Sequence, residues 1–384
     1  VVIVRTYKYK LYNSKKNKYI HQQINIAGLI YNHCIALHRR YYKIYGKHLN
    51  QYQLMKHIAK MRKLPKYSHW KEVGSQTIQD IIQRTEKAYQ LFFRNLKHGI
   101  KASPPGFKKV KKYKSITLKQ SGWNLLEDNK IKIGKRIYKY SKSREVEGDI
   151  KTVTIKRDLL GALWLCFSVK QEVYIPDRQG NISVGYDFGL KKFLVGSDGT
   201  SYEAPLYYKQ YQDKLAQAQR NLSRKKKGSN NRKKAIKDVA RTHQKIVNLR
   251  QDYFFKLSHE LTDKYDHIFL EDLNLKGMQK MWGKKVSDLS HGSFVNILQY
   301  VALIKGKEVG LIDRYYPSSK TCHVCKAVNS ELKLSDRLWK CACGIEHDRD
   351  ENAAINGTRF RKVEWLGASR GFGVDNRDYR GYLV

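Results

Sequence analysis

The pattern of hydrophobic and polar positions in the first hundred residues changes from that of a strand to that of helices. Residues 1–11, VVIVRTYKYKL, mix β-branched, aromatic and basic side chains, which is typical of a β-strand. Apolar residues then recur at three- and four-residue steps over 21–45, 54–61 and 77–96. This is the spacing of one helical face, so the sequence predicts one strand followed by three helices.

A β-rich region follows the predicted helices. The stretch SPPG at 103–106 interrupts helical structure, because proline and glycine disfavour its continuation. Short segments rich in strand-forming residues come next, at 115–120, 130–140, 150–158 and 162–175. Short strands separated by turn residues favour a small barrel. We therefore expect a β-barrel domain of residues 1–18 and 107–178, with a helical domain of residues 19–106 inserted into it.

The C-terminal half alternates between strand and helix patterns. Two apolar strands flank Gly189, a long basic helical hairpin follows, and the strand HIFLE at 267–271 comes next. This alternation indicates a mixed α/β domain, which we assign to residues 179–314 and 346–364. A cysteine-containing element at 315–345 separates its two parts, and a tail at 365–384 ends the chain. The fold class is therefore α/β with several domains.

The charge of the chain indicates the class of its partner. Lys and Arg outnumber Asp and Glu 76 to 34, giving a net charge of +42, and there are 27 tyrosines. Basic side chains neutralise phosphates and aromatic rings stack on bases, so the composition favours nucleic-acid binding over a merely soluble basic protein. No stretch reaches the ~20 apolar residues of a membrane-spanning helix. The apolar start is too short for a signal peptide, so we expect a cytoplasmic protein with reduced thiols.

Three acidic residues occupy unusual positions. Asp187 lies inside an apolar strand beside glycine, Glu271 ends the strand IFLE, and Asp350 precedes the helical sequence ENAAIN. Several acids brought together suit Mg²⁺, which prefers oxygen ligands, and two such ions can promote phosphodiester hydrolysis. Each acid alone could instead form a turn, pair with a lysine or cap a helix, and sequence separation does not establish that they meet.

Four of the six cysteines form two close pairs, Cys322 with Cys325 and Cys341 with Cys343. Two thiolate pairs at this spacing suit one tetrahedral Zn²⁺ that helps a short segment to fold. Disulfides are the alternative, which a reducing compartment disfavours. His323 and His347 are possible substitute ligands. Cys34 and Cys166 lie in apolar patterns and are expected to be buried.

Taken together, these segments resemble the TnpB family, the transposon-encoded relatives of type V CRISPR effector nucleases. The segments that carry the resemblance are RTYKYKLYNSKKN, VGYDFGLKKFLVGSDG, the basic helical stretch from SRKKKGSNNRKK to FFKLSHEL, YDHIFLEDLNLKGM, DRYYPSSKTCHVC and CGIEHDRDENAAIN. Asn13 stands where the family often has a proline. The resemblance covers nearly the whole chain, and the order of the acids with the cysteine pairs just before the third is its most specific part.

The resemblance implies an RNase H-like (RuvC) nuclease domain, a zinc-binding element, and a wedge-like barrel that carries a helical recognition domain. It assigns Asp187, Glu271 and Asp350 to a catalytic triad that binds two Mg²⁺ ions, with Asp348 as the nearest competitor for the third place. It assigns one structural Zn²⁺ to the four paired cysteines. The expected backbone contacts are Arg224, Lys225, Lys226, Lys227, Arg232, Lys233 and Lys234, although a solvated charged loop remains an alternative.

The resemblance further implies an RNA-guided DNA endonuclease in the nucleoid of a prokaryotic cell. A guide RNA from the transposon end would select double-stranded DNA by base pairing, and the protein would read a short adjacent motif. One protein per RNA is expected. Two alternatives are a nuclease-inactive RNA-guided repressor, which should have lost triad acids, and a DNA-strand transposase, which should act without RNA.

Overall fold

The computed structural model describes residues 2–176, 180–189, 192–273, 277, 283, 288–312, 317–332, 336, 338–358 and 364–365. They form two compact units, one of residues 2–172 and the other of the described residues from 173 onward. The change of unit at 172/173 lies a few residues before the boundary expected at 178/179. The expected C-terminal tail, apart from Trp365, lies outside the described residues.

The first unit contains a seven-stranded antiparallel sheet. Its strands are β1 (Val2–Leu11), β2 (Ser115–Leu118), β3 (Trp123–Leu126), β4 (Lys130–Ile133), β5 (Arg136–Ser141), β6 (Asp149–Arg157) and β7 (Leu163–Glu172). They are ordered β2-β6-β7-β1-β5-β4-β3, so the first strand of the chain lies at the centre. It pairs with β7 from Val2 opposite Glu172 to Lys10 opposite Trp164.

Alternation along most of these strands, though not along the short β2 and β3, builds a one-sided core, as the barrel prediction requires. In β7, Leu163, Leu165, Phe167 and Val169 are buried, and the residues between them are partly exposed. Cys166 is one of the latter, so the expectation that it is buried is wrong, because the strand's period of two turns it to the opposite face.

Helices are inserted between β1 and β2. They are α1 (Asn17–Tyr45), α2 (Gln51–Met61) and α3 (Ser75–Lys97), with short 3₁₀ segments at Pro65–Glu72 and Val110–Lys112. The Asn50 side chain caps α2 by accepting from the backbone N–H of Gln53, and the Gln53 side chain accepts in return. Gly28 lets α1 approach closely, since a Cβ there would lie 2.9 Å from Cβ of Tyr113. The helices and the sheet share one hydrophobic core, so the two predicted domains pack as one unit.

The second unit is built on a six-stranded mixed sheet. Its strands are β8 (Ser183–Phe188), β9 (Lys192–Gly196), β10 (Ser201–Glu203), β11 (His267–Glu271), β12 (Glu308–Ile312) and β15 (Glu364–Trp365), and a separate hairpin contains β13 (Leu338–Lys340) and β14 (Glu346–Asp348). The order is β10-β9-β8-β11-β12-β15. Strands β8, β11 and β12 are parallel to one another, and the remaining neighbours are antiparallel.

Helices pack against this sheet. They are α6 (Asn230–Lys264), α7 (His291–Ile304) and α8 (Arg349–Thr358), and the shorter α4 (Tyr207–Gln210) and α5 (Gln212–Ser223) pack on α6. Phe193, Phe254 and Phe294 form the centre of the core, with ring centroids 5.2 to 5.6 Å apart. Strands and helices therefore alternate as the sequence predicts. Within the described residues, no helix combines the length and the apolar character needed to cross a membrane.

Candidate metal centre

Asp187 and Glu271 are brought together by strand register. Strand β11 is parallel to β8, with Leu270 opposite Tyr186, so the next residues, Glu271 and Asp187, are neighbours on the same face of the sheet. Both lie at the carboxyl ends of their strands. Gly189 permits the close return of the chain into β9, because a Cβ there would lie 2.6 Å from the carbonyl oxygen of Lys192.

Asp350 approaches the same place from the first turn of α8, which packs on β8. The neighbouring acid, Asp348, has a different role, because its Oδ1 accepts hydrogen bonds from the backbone N–H groups of Asp350, at 3.0 Å, and Glu351, at 3.1 Å. Asp348 therefore caps the helix that carries Asp350. Of the two competitors for the third acidic position, this arrangement favours Asp350.

The pKa of Asp187 is affected by both of the other acids. Burial, the charge of Glu271, a hydrogen bond with that side chain and the charge of Asp350 together raise the pKa of Asp187 well above its usual value. Glu271 acts on Asp187 through both its charge and a hydrogen bond, and Asp350 acts through its charge. Carboxylates that repel one another in this way are stabilised as anions by a bound cation.

A serine that the sequence analysis missed contacts this group. Ser318 is buried, and its Oγ donates a 2.7 Å hydrogen bond to Oε1 of Glu271. Serine is so common on protein surfaces that its position in sequence gave no signal. Only the fold shows that the turn before the first cysteine pair returns to the end of β11.

The four paired cysteines converge as the spacing predicts. Their sulfur atoms all lie within 4.8 Å of one another, and all four are free thiols. Cys322 and Cys343 are 3.8 Å apart, and Cys325 and Cys341 are 3.5 Å apart, well beyond the ~2.05 Å of a disulfide. The arrangement could hold one zinc ion, and it disfavours the disulfide alternative.

The thiols do not ionise alike. Burial opposes ionisation of Cys322, but backbone N–H groups of the same loop and the His347 ring outweigh it and lower its pKa to about 5. Although a backbone N–H favours the thiolate of Cys341, burial and the neighbouring thiols raise its pKa to about 12. Four thiolates at this spacing therefore need a cation to neutralise them.

His347 lies beside the cysteines in β14. Its Nε2 is 3.1 Å from Sγ of Cys322, and its ring packs on Trp339, with centroids 4.6 Å apart. Because β14 pairs with β13, the cysteine-containing element extends to Asp348. The expected boundary at 345/346 falls inside this hairpin, because sequence spacing does not reveal strand pairing.

The basic residues expected to contact nucleic acid flank the turn between α5 and α6. Arg224, Lys226, Lys227, Lys233 and Lys234 are exposed, and Lys225 is partly buried. Arg232 differs, because its guanidinium donates to the carbonyl oxygens of Leu222, at 2.8 Å, and Lys225, at 3.0 Å. Arg232 therefore stabilises the turn between α5 and α6 through hydrogen bonds to its backbone.

Two family models match the chain. A model described as "Probable transposase" matches residues 166–281, which include Asp187 and Glu271. A model described as "Cas12f1-like, TNB domain" matches residues 291–357, which include the four paired cysteines and Asp350.

Relatives match along most of the chain. A protein from Streptomyces pristinaespiralis named "Putative RNA-guided DNA endonuclease" is 28% identical over 92% of this chain and 88% of its own length. A protein from Escherichia coli K12, "Putative RNA-guided DNA endonuclease InsQ", is 28% identical over 86% of this chain and 84% of its own. "TnpB-like protein L79" of Acanthamoeba polyphaga mimivirus is 28% identical over 56% of this chain and 44% of its own.

The fold is also similar to a solved structure. A chain from a cryo-EM structure titled as the Cas12f1–sgRNA–target DNA complex superimposes with a TM-score of 0.60 and 15% identity, covering 91% of this chain and 84% of that one. The likeness extends over both units of the fold. Together, the two family models and the relatives support a protein of the TnpB family.

Proposed function

We propose that this protein is an RNA-guided DNA endonuclease that hydrolyses phosphodiester bonds at Asp187, Glu271 and Asp350. The observation that carries the proposal is the strand register that sets Glu271 beside Asp187, with the helix that carries Asp350 packed on the strand of Asp187. The charges of Glu271 and Asp350 accordingly both raise the pKa of Asp187. The strand order, with antiparallel β9 and β10 on one side of β8 and parallel β11 and β12 on the other, supports an RNase H-like (RuvC) nuclease domain.

The donor set fits Mg²⁺, because carboxylate oxygens are the ligands this hard ion prefers. Asp187 and Glu271 are hydrogen-bonded and the charge of Asp350 also acts on Asp187, so three carboxylates are available to hold the two ions of such a mechanism. Bound ions would polarise the scissile phosphate and lower the pKa of an attacking water. Ser318 would hold the Glu271 carboxylate, and the capped start of α8 would hold Asp350.

Several observations support a guide RNA and a DNA target as partners. The net charge of +42 calls for a large polyanion, and two relatives that span most of the chain are named for RNA-guided DNA cleavage. In such proteins base pairing carries the sequence information while the protein holds the backbone and reads a short adjacent motif. We place the backbone contacts on the exposed residues Arg224, Lys226, Lys227, Lys233 and Lys234.

The proposal is tested by cleavage of a matched target. The protein is expressed with the RNA transcribed beside its gene, the RNA that copurifies is sequenced, and the complex is given DNA carrying the matching sequence next to a randomised flank. Cleavage that needs Mg²⁺ and stops after RNase treatment is expected. Cleavage of transposon ends that survives RNase treatment would favour a strand transposase instead.

A matched pair of variants tests the active site. Asp350→Asn should reduce cleavage by more than about 100-fold. Residues that only support a metal ligand contribute up to about that much, so losing a ligand itself should cost more. Glu351→Gln is the control, because Glu351 is the next acid in the same helical turn and its side chain is exposed. Target binding should persist in both. Undiminished cleavage by Asp350→Asn would refute the assignment, and binding without cleavage by the wild type would identify a repressor.

A further inference from the structure

We propose that Ser318 is a positioning residue for Glu271, and that two buried asparagines on α8 hold it in place. This inference rests on the proposed function, because Glu271 is taken as a metal ligand. It concerns a chain of hydrogen bonds that joins the cysteine element to the carboxylates. Each link lies within the second unit.

The first link is a tight turn just before Cys322. The backbone N–H groups of Lys320 and Thr321 both donate to the carbonyl oxygen of Pro317, at 3.0 Å, and the hydroxyl of Thr321 donates to the same oxygen at 2.8 Å. Ser318 and Thr321 are only 4% and 5% exposed. The turn therefore fixes the Ser318 backbone, and the 2.7 Å hydrogen bond from its Oγ fixes one oxygen of Glu271.

The second link clamps this turn to α8. Asn352 and Asn356, one helical turn apart and each 1% exposed, point their side-chain amides at the turn. Nδ2 of Asn352 donates to the carbonyl oxygens of Ser318 and Thr321, at 3.3 and 2.8 Å. Nδ2 of Asn356 donates to the same two oxygens, at 2.9 and 2.5 Å. The helix that carries Asp350 in its first turn thus holds the serine that touches Glu271.

The third link reaches the cysteines. Oδ1 of Asn352 accepts from the backbone N–H of His323 at 3.0 Å, and the ring of His323 packs against that of His347, with centroids 4.9 Å apart. His347 in turn contacts Cys322. Oδ1 of Asn356 has no hydrogen-bond partner among the described residues, but the amide donors of both asparagines and Oδ1 of Asn352 are paired. Breaking any of these buried hydrogen bonds is costly, so a shift of the cysteine element would displace Ser318.

The chemical consequence concerns how Glu271 is presented. A carboxylate at a strand end can rotate, and a metal site needs it in one orientation before the ion arrives. A hydroxyl donor on one oxygen selects that orientation and leaves the other lone pairs for the ion. Residues that hold ligands in this way contribute about 10- to 100-fold to metal affinity.

The experiment measures Mn²⁺ binding by electron paramagnetic resonance in the purified, zinc-loaded full chain, without nucleic acid. Asp187→Ala identifies which bound Mn²⁺ belongs to the carboxylate site. Ser318→Ala should weaken that binding about 10- to 100-fold, Ser318→Thr should restore most of it by returning the hydroxyl, and zinc content should stay at the wild-type value. Asn352→Ala should weaken Mn²⁺ binding to a lesser degree, since Asn356 still holds the turn.

Thr321→Val is the matched control, because it removes a buried hydroxyl from the same turn without removing a contact to Glu271. Because two backbone N–H groups still donate to the carbonyl oxygen of Pro317, its Mn²⁺ affinity should fall far less than that of Ser318→Ala. Wild-type affinity in Ser318→Ala, or an equal loss in Thr321→Val, would overturn the positioning role.

The outcomes also separate this inference from the nuclease proposal. If the wild type binds Mn²⁺ through Asp187 and Ser318→Ala weakens it, positioning stands even when no DNA is cleaved. If no Asp187-dependent binding occurs in the wild type, both fail together.

Discussion

Neighbouring acids in this chain are distinguished by the backbone around them. Asp348 and Asp350 are two residues apart, yet one caps α8 and the other faces the carboxylate of Asp187. Glu271 is fixed by a parallel register and by one serine hydroxyl. The three acids stood out as candidates in the sequence because each ends or interrupts an apolar strand or precedes a helix. Ser318, Asn352 and Asn356 were not, since common polar residues carry no such signal.

Asp187→Asn is expected to stabilise the metal-free fold at pH 7. Burial and two nearby negative charges raise the pKa of Asp187, so the folded state binds its proton more tightly than the unfolded state does. The free energy of unfolding therefore falls as the pH rises from about 4, the ordinary aspartate value, through the raised pKa. Asp187→Asn has no carboxyl group to ionise at this position, so its free energy of unfolding does not fall in this way as the pH rises.

Urea unfolding between pH 4 and pH 8, in buffer free of added divalent ions but with zinc retained, measures the effect. The variant should unfold at a higher urea concentration than the wild type at pH 7, and the difference should shrink toward pH 4. Added Mg²⁺ should stabilise only the wild type. Equal midpoints at pH 7 would show that Asp187 carries no unfavourable charge.

Two small elements in the second unit depend on contacts between residues closer in sequence than those paired between the parallel strands β8, β11 and β12. The hairpin β13–β14 places His347 beside Cys322, and the core of this element consists of Cys322, Leu332, Trp339 and Cys341. So few buried apolar side chains cannot hold a segment folded without metal. The turn between α5 and α6 depends instead on Ser229, which caps α6, and on Arg232.

Metal analysis of the purified protein should return one zinc per chain. Cys322→Ser should lower this below half an equivalent and expose the segment around it to protease, because the ion supplies its folding energy. Cys166→Ser is the matched control, a thiol in β7 of the other unit, and it should retain the full equivalent. Full zinc in Cys322→Ser would contradict a four-cysteine site.

Lys233→Gln and Arg232→Gln should separate two kinds of basic residue at one turn. Loss of Lys233, which is exposed, should reduce RNA affinity and lower the slope of log affinity against log salt by about 1 if it contacts a phosphate. Loss of Arg232 should instead lower the thermal midpoint, because Leu222 and Lys225 lose the donor to their carbonyl oxygens. Fluorescence anisotropy and calorimetry measure the two effects. Lower thermal stability in Lys233→Gln together with weaker RNA binding in Arg232→Gln would contradict this assignment of roles.

At the scale of the whole chain, the dominant property is unneutralised positive charge. Each of the two units has its own hydrophobic core, so folding does not require nucleic acid to cover apolar surface. An excess of 42 positive charges nevertheless opposes compaction. A bound polyanion relieves this repulsion, which is why stability and RNA binding should be linked.

RNA binding should be strongly salt-dependent. Binding that neutralises 6–10 phosphates weakens by about 10³- to 10⁵-fold between 50 and 200 mM salt, because counterions are released from the nucleic acid. Affinity for the copurifying RNA, measured across this range, should fall at least about 1,000-fold. The thermal midpoint should rise when that RNA is added at low salt. A salt-independent affinity would indicate that the charge serves another partner.

The sequence by itself determined the elements, the class of partner and the candidate ligands. Hydrophobic periodicity indicates which face of a strand or helix is apolar, the net charge indicates a polyanionic partner, and paired cysteines indicate a metal site. All three are local or additive properties of the sequence. Only the tertiary structure decided that β11 aligns with β8, that Asp348 caps rather than faces Asp187, and that Ser318 reaches Glu271. Those outcomes depend on strand register and on packing between distant segments, which no local pattern encodes.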